Sequence, residues 1–261
     1  MLPDWIYNTS ASIVTLWFSV AGVTVSSIGV ATSYAWFGKR VRTPHGELIS
    51  FTVTNIAVLY TVLLAFIAVA TWQNFTSMQT VVESEANYAG HVFEDAGGFT
   101  QPIAGQIRDA ITRYLETVIR QEWPVQRRGV VPNMAHRYLD QIHDDLAAYE
   151  PANAGKAVLM QEIIGDLNQL DGARMSRLQA VNGHIPQMVW VVIVAVGALT
   201  VGYSCLLRAE GLLIHLAMVG GLTLALTLVV TLIIELDYPF RGEISVSASA
   251  FEAVLQTVVA H

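Results

Sequence analysis

Four stretches of this chain, residues 13–37, 51–72, 186–207 and 211–234, contain no Asp, Glu, Lys or Arg. Each is long enough to cross about 30 Å of hydrocarbon as a helix. Lipid offers no hydrogen bonds, so a spanning segment has to satisfy its backbone internally, and runs of this length do so as α-helices. The chain is therefore expected to be an all-α membrane protein. Its composition, 53% hydrophobic and 13% charged, agrees, since an ordinary soluble domain is nearer a quarter charged.

The first stretch is rich in small residues, among them Ser19, Gly22, Ser26, Gly29 and Ser33. Small residues let helix backbones approach closely in lipid, so this helix should face protein. Trp5, Trp17, Trp36, Trp72 and Trp190 lie near the ends of the spans, where amphipathic rings favour the headgroup region. Short links, 38–50 and 208–210, join the first pair of spans and the last, which makes two hairpins. Lys39, Arg40 and Arg42 against Glu47 in the first link, with Arg208 in the second, outweigh the scattered Arg174, Arg177 and Arg241 at the other face. The positive-inside rule then puts both links in the cytoplasm and the termini and central region outside the plasma membrane. Met1-Leu2-Pro3-Asp4-Trp5 lacks the positive start of a signal peptide, so the first span is read as retained.

Between residues 73 and 185 the composition changes to 14 acidic and 9 basic residues with helical periodicity. This predicts four segments: a first transmembrane hairpin over 1–72, a soluble helical domain over 73–185, a second hairpin over 186–237 and a C-terminal tail over 238–261. The second span has no breaker at Trp72, and Phe75, Met78, Val82, Ala89 and Val92 carry its apolar stripe on to Gly97-Gly98. Ile107, Ile111, Tyr114, Leu115, Val118 and Ile119 predict a second helix ended by Pro124. Tyr138, Leu139, Ile142, Leu146 and Tyr149 predict a third, and Leu159 to Val181 a fourth that meets Pro186. Together these four make a small bundle.

Several chemistries are excluded. With 21 acidic and 14 basic residues and no basic run, the net charge of −7 does not suit nucleic acid. Cys205 is the sole cysteine and sits in an apolar run, so no intrachain disulfide or thiolate metal site can form. His136 and His143 are seven apart, not the four that lets two imidazoles share an ion, and His91 with Glu94 and Asp95 is no stronger, so no metal is expected. No nucleophile stands at a motif spacing from a base and no nucleotide-binding glycine motif occurs, so neither an enzyme nor a cofactor is expected.

The segments Glu85-Ala86, Tyr114-Leu115-Glu116, Gln121-Glu122-Trp123-Pro124, Ile185-Pro186 with Trp190, and Leu236-Asp237-Tyr238-Pro239-Phe240-Arg241-Gly242 resemble those of a bacterial bestrophin-like membrane family. Glu122-Trp123-Pro124 and the Asp237-to-Gly242 exit are the most specific of them. The resemblance covers most of the chain. Bestrophins are pentameric anion channels whose second helix lines the pore and whose large domain and termini are cytoplasmic, so the resemblance implies a homo-oligomeric channel, in an orientation opposite to the charge count.

Two readings of function stand: an oligomeric channel of unknown selectivity, or a membrane-anchored scaffold whose residues 73–185 bind a protein partner. For the channel, Asn55, Leu59, Val62, Phe66 and Gln73 are the pore or gate candidates, with Phe66 at the narrowest point. Glu85 lies in the stripe of Met78, Val82 and Ala89, so it needs a buried cation, for which Arg108, Arg113 or Arg120 of the next helix is available. Glu235 and Asp237, with Arg241 near enough to pair, would either end the last span at the interface or form a charged ring at a pore mouth. His215 is a candidate pH-responsive group or a helix-to-helix hydrogen bond, and His184 has the same status. His45, Glu47, Arg208 and Glu210 could cluster with His215 at one membrane face.

Overall fold

The structure, a computed structural model, describes residues 7, 9–37, 46–183, 185–207 and 211–260, with only the backbone of 37 and 46–49. Trp5, His184, the charged link with Lys39, Arg40, Arg42 and His45, and Arg208 with Glu210 lie outside the described residues, as does the Glu47 side chain. The described residues are all-helical. In chain order the α-helices are α1 (Ala11–Phe37), α2 (Gly46–Ala96), α3 (Ile103–Thr117), α4 (Trp123–Gln126), α5 (His136–Ala147), α6 (Ala154–Gln179), α7 (Gln187–Leu206), α8 (Leu212–Asp237) and α9 (Ser249–Val259). Among the described residues four helical stretches are long and apolar enough to cross a membrane.

The chain divides into two compact units. The first holds residues 1–73, 184–237 and 242–244. In it α1 packs along α8 and α7. Its small residues account for that pairing: a Cβ at Gly22 would lie 3.0 Å from Thr227 Oγ1, and one at Gly29 would lie 3.0 Å from Cys205 Sγ. Cys205 is buried with Val30 and Val219 at that contact. α2 meets the same helices through Tyr60 and Leu64, which form a core cluster with Ile193 of α7 and Ile233 of α8. Hydroxyls in these helices are satisfied locally: Thr71, Thr200, Thr223 and Thr227 each donate to the carbonyl four residues back.

The second unit holds residues 74–183, 238–241 and 245–261. Val82, Ala86, Ala89 and Val92 of α2 are buried here, with Ile107, Ile111 and Leu115 of α3, Leu139, Ile142 and Leu146 of α5, and Ile163, Leu167 and Leu170 of α6. These are the i, i+3, i+4 positions of the sequence stripes. Asn153 caps α6, its side-chain oxygen accepting from Lys156 N at 3.0 Å.

Two features depart from expectation. Pro124 does not end the second predicted helix. A π-turn, Val118–Glu122, follows α3, and Pro124 then sits in the first turn of α4, where its missing N–H and its ring are tolerated. Within the C-terminal tail, Ser249–Val259 folds as a helix, α9, which the sequence reading did not mark, and it packs on α3 within this unit.

Candidate functional site

The feature of the second unit that hydrophobic packing does not explain is a group of polar side chains with no access to water. Glu85 of α2, Tyr114 of α3, Glu122 of the π-turn, Gln126 of α4 and Arg174 and Arg177 of α6 are each at most 1% exposed. A buried charge without partners costs several kcal/mol, so the group has to be internally paired. Arg177 Nε donates to Glu85 Oε2 at 2.6 Å and its Nη2 to Glu85 Oε1 at 2.8 Å. Tyr114 Oη donates to the same Glu85 Oε1 at 2.5 Å. The remaining nitrogen of Arg177 donates to Gln126 Oε1.

Arg174 grips Glu122 as a fork, with bonds of 2.8 and 2.7 Å. Glu122 also accepts from Ala135 N at 2.8 Å and lies 3.5 Å from Arg177 Nη2. Two arginines and two carboxylates thus balance. Aromatic rings close the group: Arg177 lies 5.5 Å from the Trp123 ring and 5.7 Å from that of Phe251 of α9. Burial alone would push the Glu122 carboxyl up, but the bonds and charge of Arg174, with Ala135 N–H, hold it below its ordinary value. Burial and the neighbouring Glu85 carboxylate push the Tyr114 phenol well above its ordinary value. The Gln126 amide nitrogen is buried without a hydrogen-bond partner.

The cation that meets Glu85 is Arg177, which corrects the expected choice among Arg108, Arg113 and Arg120. Those three are engaged elsewhere. Arg108 donates to Phe93 O and stacks on its ring, Arg113 pairs with Asp109, and Arg120 lies 3.9 Å from Glu116. Sequence reasoning missed Arg174 and Arg177 as site residues, although a signal exists: Leu167, Leu170, Arg174, Arg177 and Val181 keep one helical register, so the two cations occupy core positions of α6.

In the first unit the pore candidates sit on one side of α2. Val53, Tyr60, Leu64 and Thr71 are buried, whereas Asn55, Leu59, Val62, Phe66, Val69 and Gln73, on the opposite face, are exposed. Leu59 is 70% exposed and Phe66 72%. Asn55 Nδ2 donates to Phe51 O of its own helix. Glu235 and Asp237 are buried, which is not where an open charged ring would hold them, and an oligomer could only bury them further. Asp237 Oδ1 accepts from Ile185 N at 2.8 Å, while neither oxygen of Glu235 has a hydrogen-bond partner. Arg241 belongs to the second unit, where its guanidinium lies 5.7 Å from the Tyr238 ring. His215 is buried with Nε2 at 3.0 Å from Ser204 O of α7, the helix-to-helix hydrogen bond. His136 neighbours Asp140 and Asp171, and His91 neighbours Asp166. Among the described residues no group of three or more His, Cys, Asp or Glu converges as a metal site.

Long apolar helices and an all-helical unit built round a buried ionic network define an integral membrane protein of purely helical class. The bestrophin-like domain matches residues 20–251, and the chain belongs to the bestrophin-like family. Comparison with curated proteins gives no match. Solved structures share the fold. A variant of a bacterial bestrophin homolog from Klebsiella pneumoniae has a TM-score of 0.72 at 10% identity, covering 94% of this chain and 98% of its own. The homolog's structure phased with zinc gives 0.70 at 12%, covering 94% and 97%. A structure described as a membrane protein variant gives 0.70 at 11%, also covering 94% and 97%.

Proposed function

We propose that the protein is an ion channel formed by several copies of the chain, each contributing four spans, α1 paired in sequence with α2 and α7 with α8. α2 lines the conduction path and residues 73–185 form a vestibule. The observation that carries this reading is the exposed face of α2. Its other face is filled by α7 and α8, yet Leu59, Val62, Phe66 and Val69 remain uncovered. Polar Asn55 and Gln73 stand at the two ends of that stripe. A ring of such stripes around an axis would be a hydrophobic constriction with polar ends, the arrangement that gates by excluding water. Membership of the bestrophin-like family supports it, because bestrophins conduct ions through their second helix.

The test is ion flux into vesicles carrying purified protein, with oligomeric state measured in mild detergent. Phe66→Ala is expected to widen the constriction and raise flux severalfold. A strict monomer, or no flux from the wild type, Phe66→Ala and Val62→Ala alike, would favour the scaffold whose helical domain binds a protein partner.

A further inference from the structure

Within the first unit, α1 packs closely along α8, whereas α2 reaches α7 and α8 through long side chains. Tyr60 is the largest of these. It is 3% exposed and shares its cluster with Leu64, Ile193 and Ile233. Its phenol end is seated on Gly197 of α7, where a Cβ would lie 2.7 Å from Tyr60 Oη and 3.2 Å from Cζ. Gly202, on the same helix, meets nothing within 4 Å, so the close fit belongs to Gly197 and not to glycine in α7 at large. The ring is rigid and packed in its cluster, so the separation of α2 from α7 at this level is set by the length of the tyrosine and the depth of its seat. Val62 follows two residues on, about 200° round the helix, and so stands opposite Tyr60 on the exposed face that also carries Phe66. Whatever moves α2 away from α7 carries Val62 and Phe66 with it.

We infer that Tyr60 and Gly197 are positioning residues, a spacer and its seat, which set how far α2 stands from α7 and through it the width of the conduction path. The inference rests on the channel reading above. A methyl group at position 197 has to be cleared from 2.7 Å to ordinary van der Waals contact, which displaces α2 by about 1 Å toward the path. In a constriction that gates by excluding water, a narrowing of that size matters. Shortening the spacer acts in the opposite sense, because α2 can then settle back on Ile193 and Ile233 and draw Val62 and Phe66 out of the path.

The experiment measures ion flux into vesicles carrying the full chain, with a thermal melt of each variant beside it. Gly197→Ala should lower flux about fivefold, and Gly202→Ala should leave it unchanged. Tyr60→Phe removes the Oη that the added methyl would strike, so Gly197→Ala with Tyr60→Phe should return flux to within about twofold of the wild type. Tyr60→Leu should raise flux about threefold, and carries the test should Gly197→Ala fail to give folded protein by size-exclusion chromatography. Packing alone would lower the melting temperature of Gly197→Ala and Tyr60→Leu alike and would not move flux in opposite directions. Flux from the wild type that Gly197→Ala and Tyr60→Leu leave unchanged, or a loss in Gly197→Ala that Tyr60→Phe does not restore, would overturn the spacer and leave the channel standing. No flux from the wild type would overturn both.

Discussion

Glu85→Ala is the perturbation whose consequence the geometry states most directly. It removes a carboxylate that accepts two bonds from Arg177 at 2.6 and 2.8 Å and one from Tyr114 at 2.5 Å, all buried. Breaking a buried pair from one side costs about 3–5 kcal/mol, because the remaining charge is stranded away from water. Arg177 keeps Gln126 and, at 3.5 Å, Glu122, so the lower part of that range, about 3 kcal/mol, is expected. Hydrogen–deuterium exchange of the detergent-solubilised protein reads this within one unit. At roughly 1.4 kcal/mol per factor of ten, the slowest amides of α3 and α6 should exchange on the order of 10²-fold faster. Glu83→Ala, two residues away and exposed, is the control and should change exchange less than threefold. The double replacement Glu85→Met with Arg177→Met should recover most of the loss, since it strands nothing. Equal exchange in Glu85→Ala and Glu83→Ala would refute the argument that the network is charged and paired in the folded protein.

Four further outcomes are expected. The carboxyl of Glu122 is held below its ordinary value of 4.5, so its contribution to stability is present above that pH and is lost as pH falls through the lowered value. Thermal melts of the second unit should therefore drop below pH 4.5, less steeply in Glu122→Gln. Asn153→Ala removes the cap of α6 and should cost about 1 kcal/mol, seen as faster exchange in the first turn of that helix only. Gly22→Leu pushes atoms into Thr227 and Thr223, at 3.0 and 3.2 Å from a Cβ, and should lower the melting temperature, whereas Gly202→Ala, with nothing within 4 Å, should not. A cysteine at exposed Ala152 should be labelled by an impermeant reagent on intact cells if the charge of the first link sets the orientation, and protected if the bestrophin orientation holds.

What could be read from the chain followed the strength of the physical signal. Spans announce themselves because lipid forbids charge over some twenty residues, and the helices of the second unit do so because their apolar residues recur at 3.6. The partner of Glu85 was not legible. Arg108, Arg113 and Arg120 are close in sequence, but Arg177 lies 92 residues on, and nothing local distinguishes a buried arginine from an exposed one except its place in the apolar register. The same limit hid Glu122. Its reach to Arg174 depends on the π-turn, which no periodicity argument anticipates, and Pro124 read as a stop because the widened turn before it was invisible. α9 was missed because eleven residues of mixed character give too little periodicity to separate a helix from a tail.

The two units specify α2 by different means. In the first, the described residues include no Lys or Arg, and α2 packs through the apolar cluster of Tyr60 and Leu64 with Ile193 and Ile233. Contacts of that kind specify α2 by shape alone, without a buried charge. Charge can be afforded where a helical unit shields it and partners are at hand, and the second unit provides both for Glu85. The buried ionic pair accordingly stands on the part of α2 beyond the apolar span. Moving it would be informative. A Glu–Arg pair transplanted to Leu64 and Ile193, which share a core cluster in the first unit, should fail to replace Glu85–Arg177 and should destabilise the protein, because no counterpart of Gln126, Glu122 or Tyr114 surrounds that position to satisfy the remaining donors and acceptors.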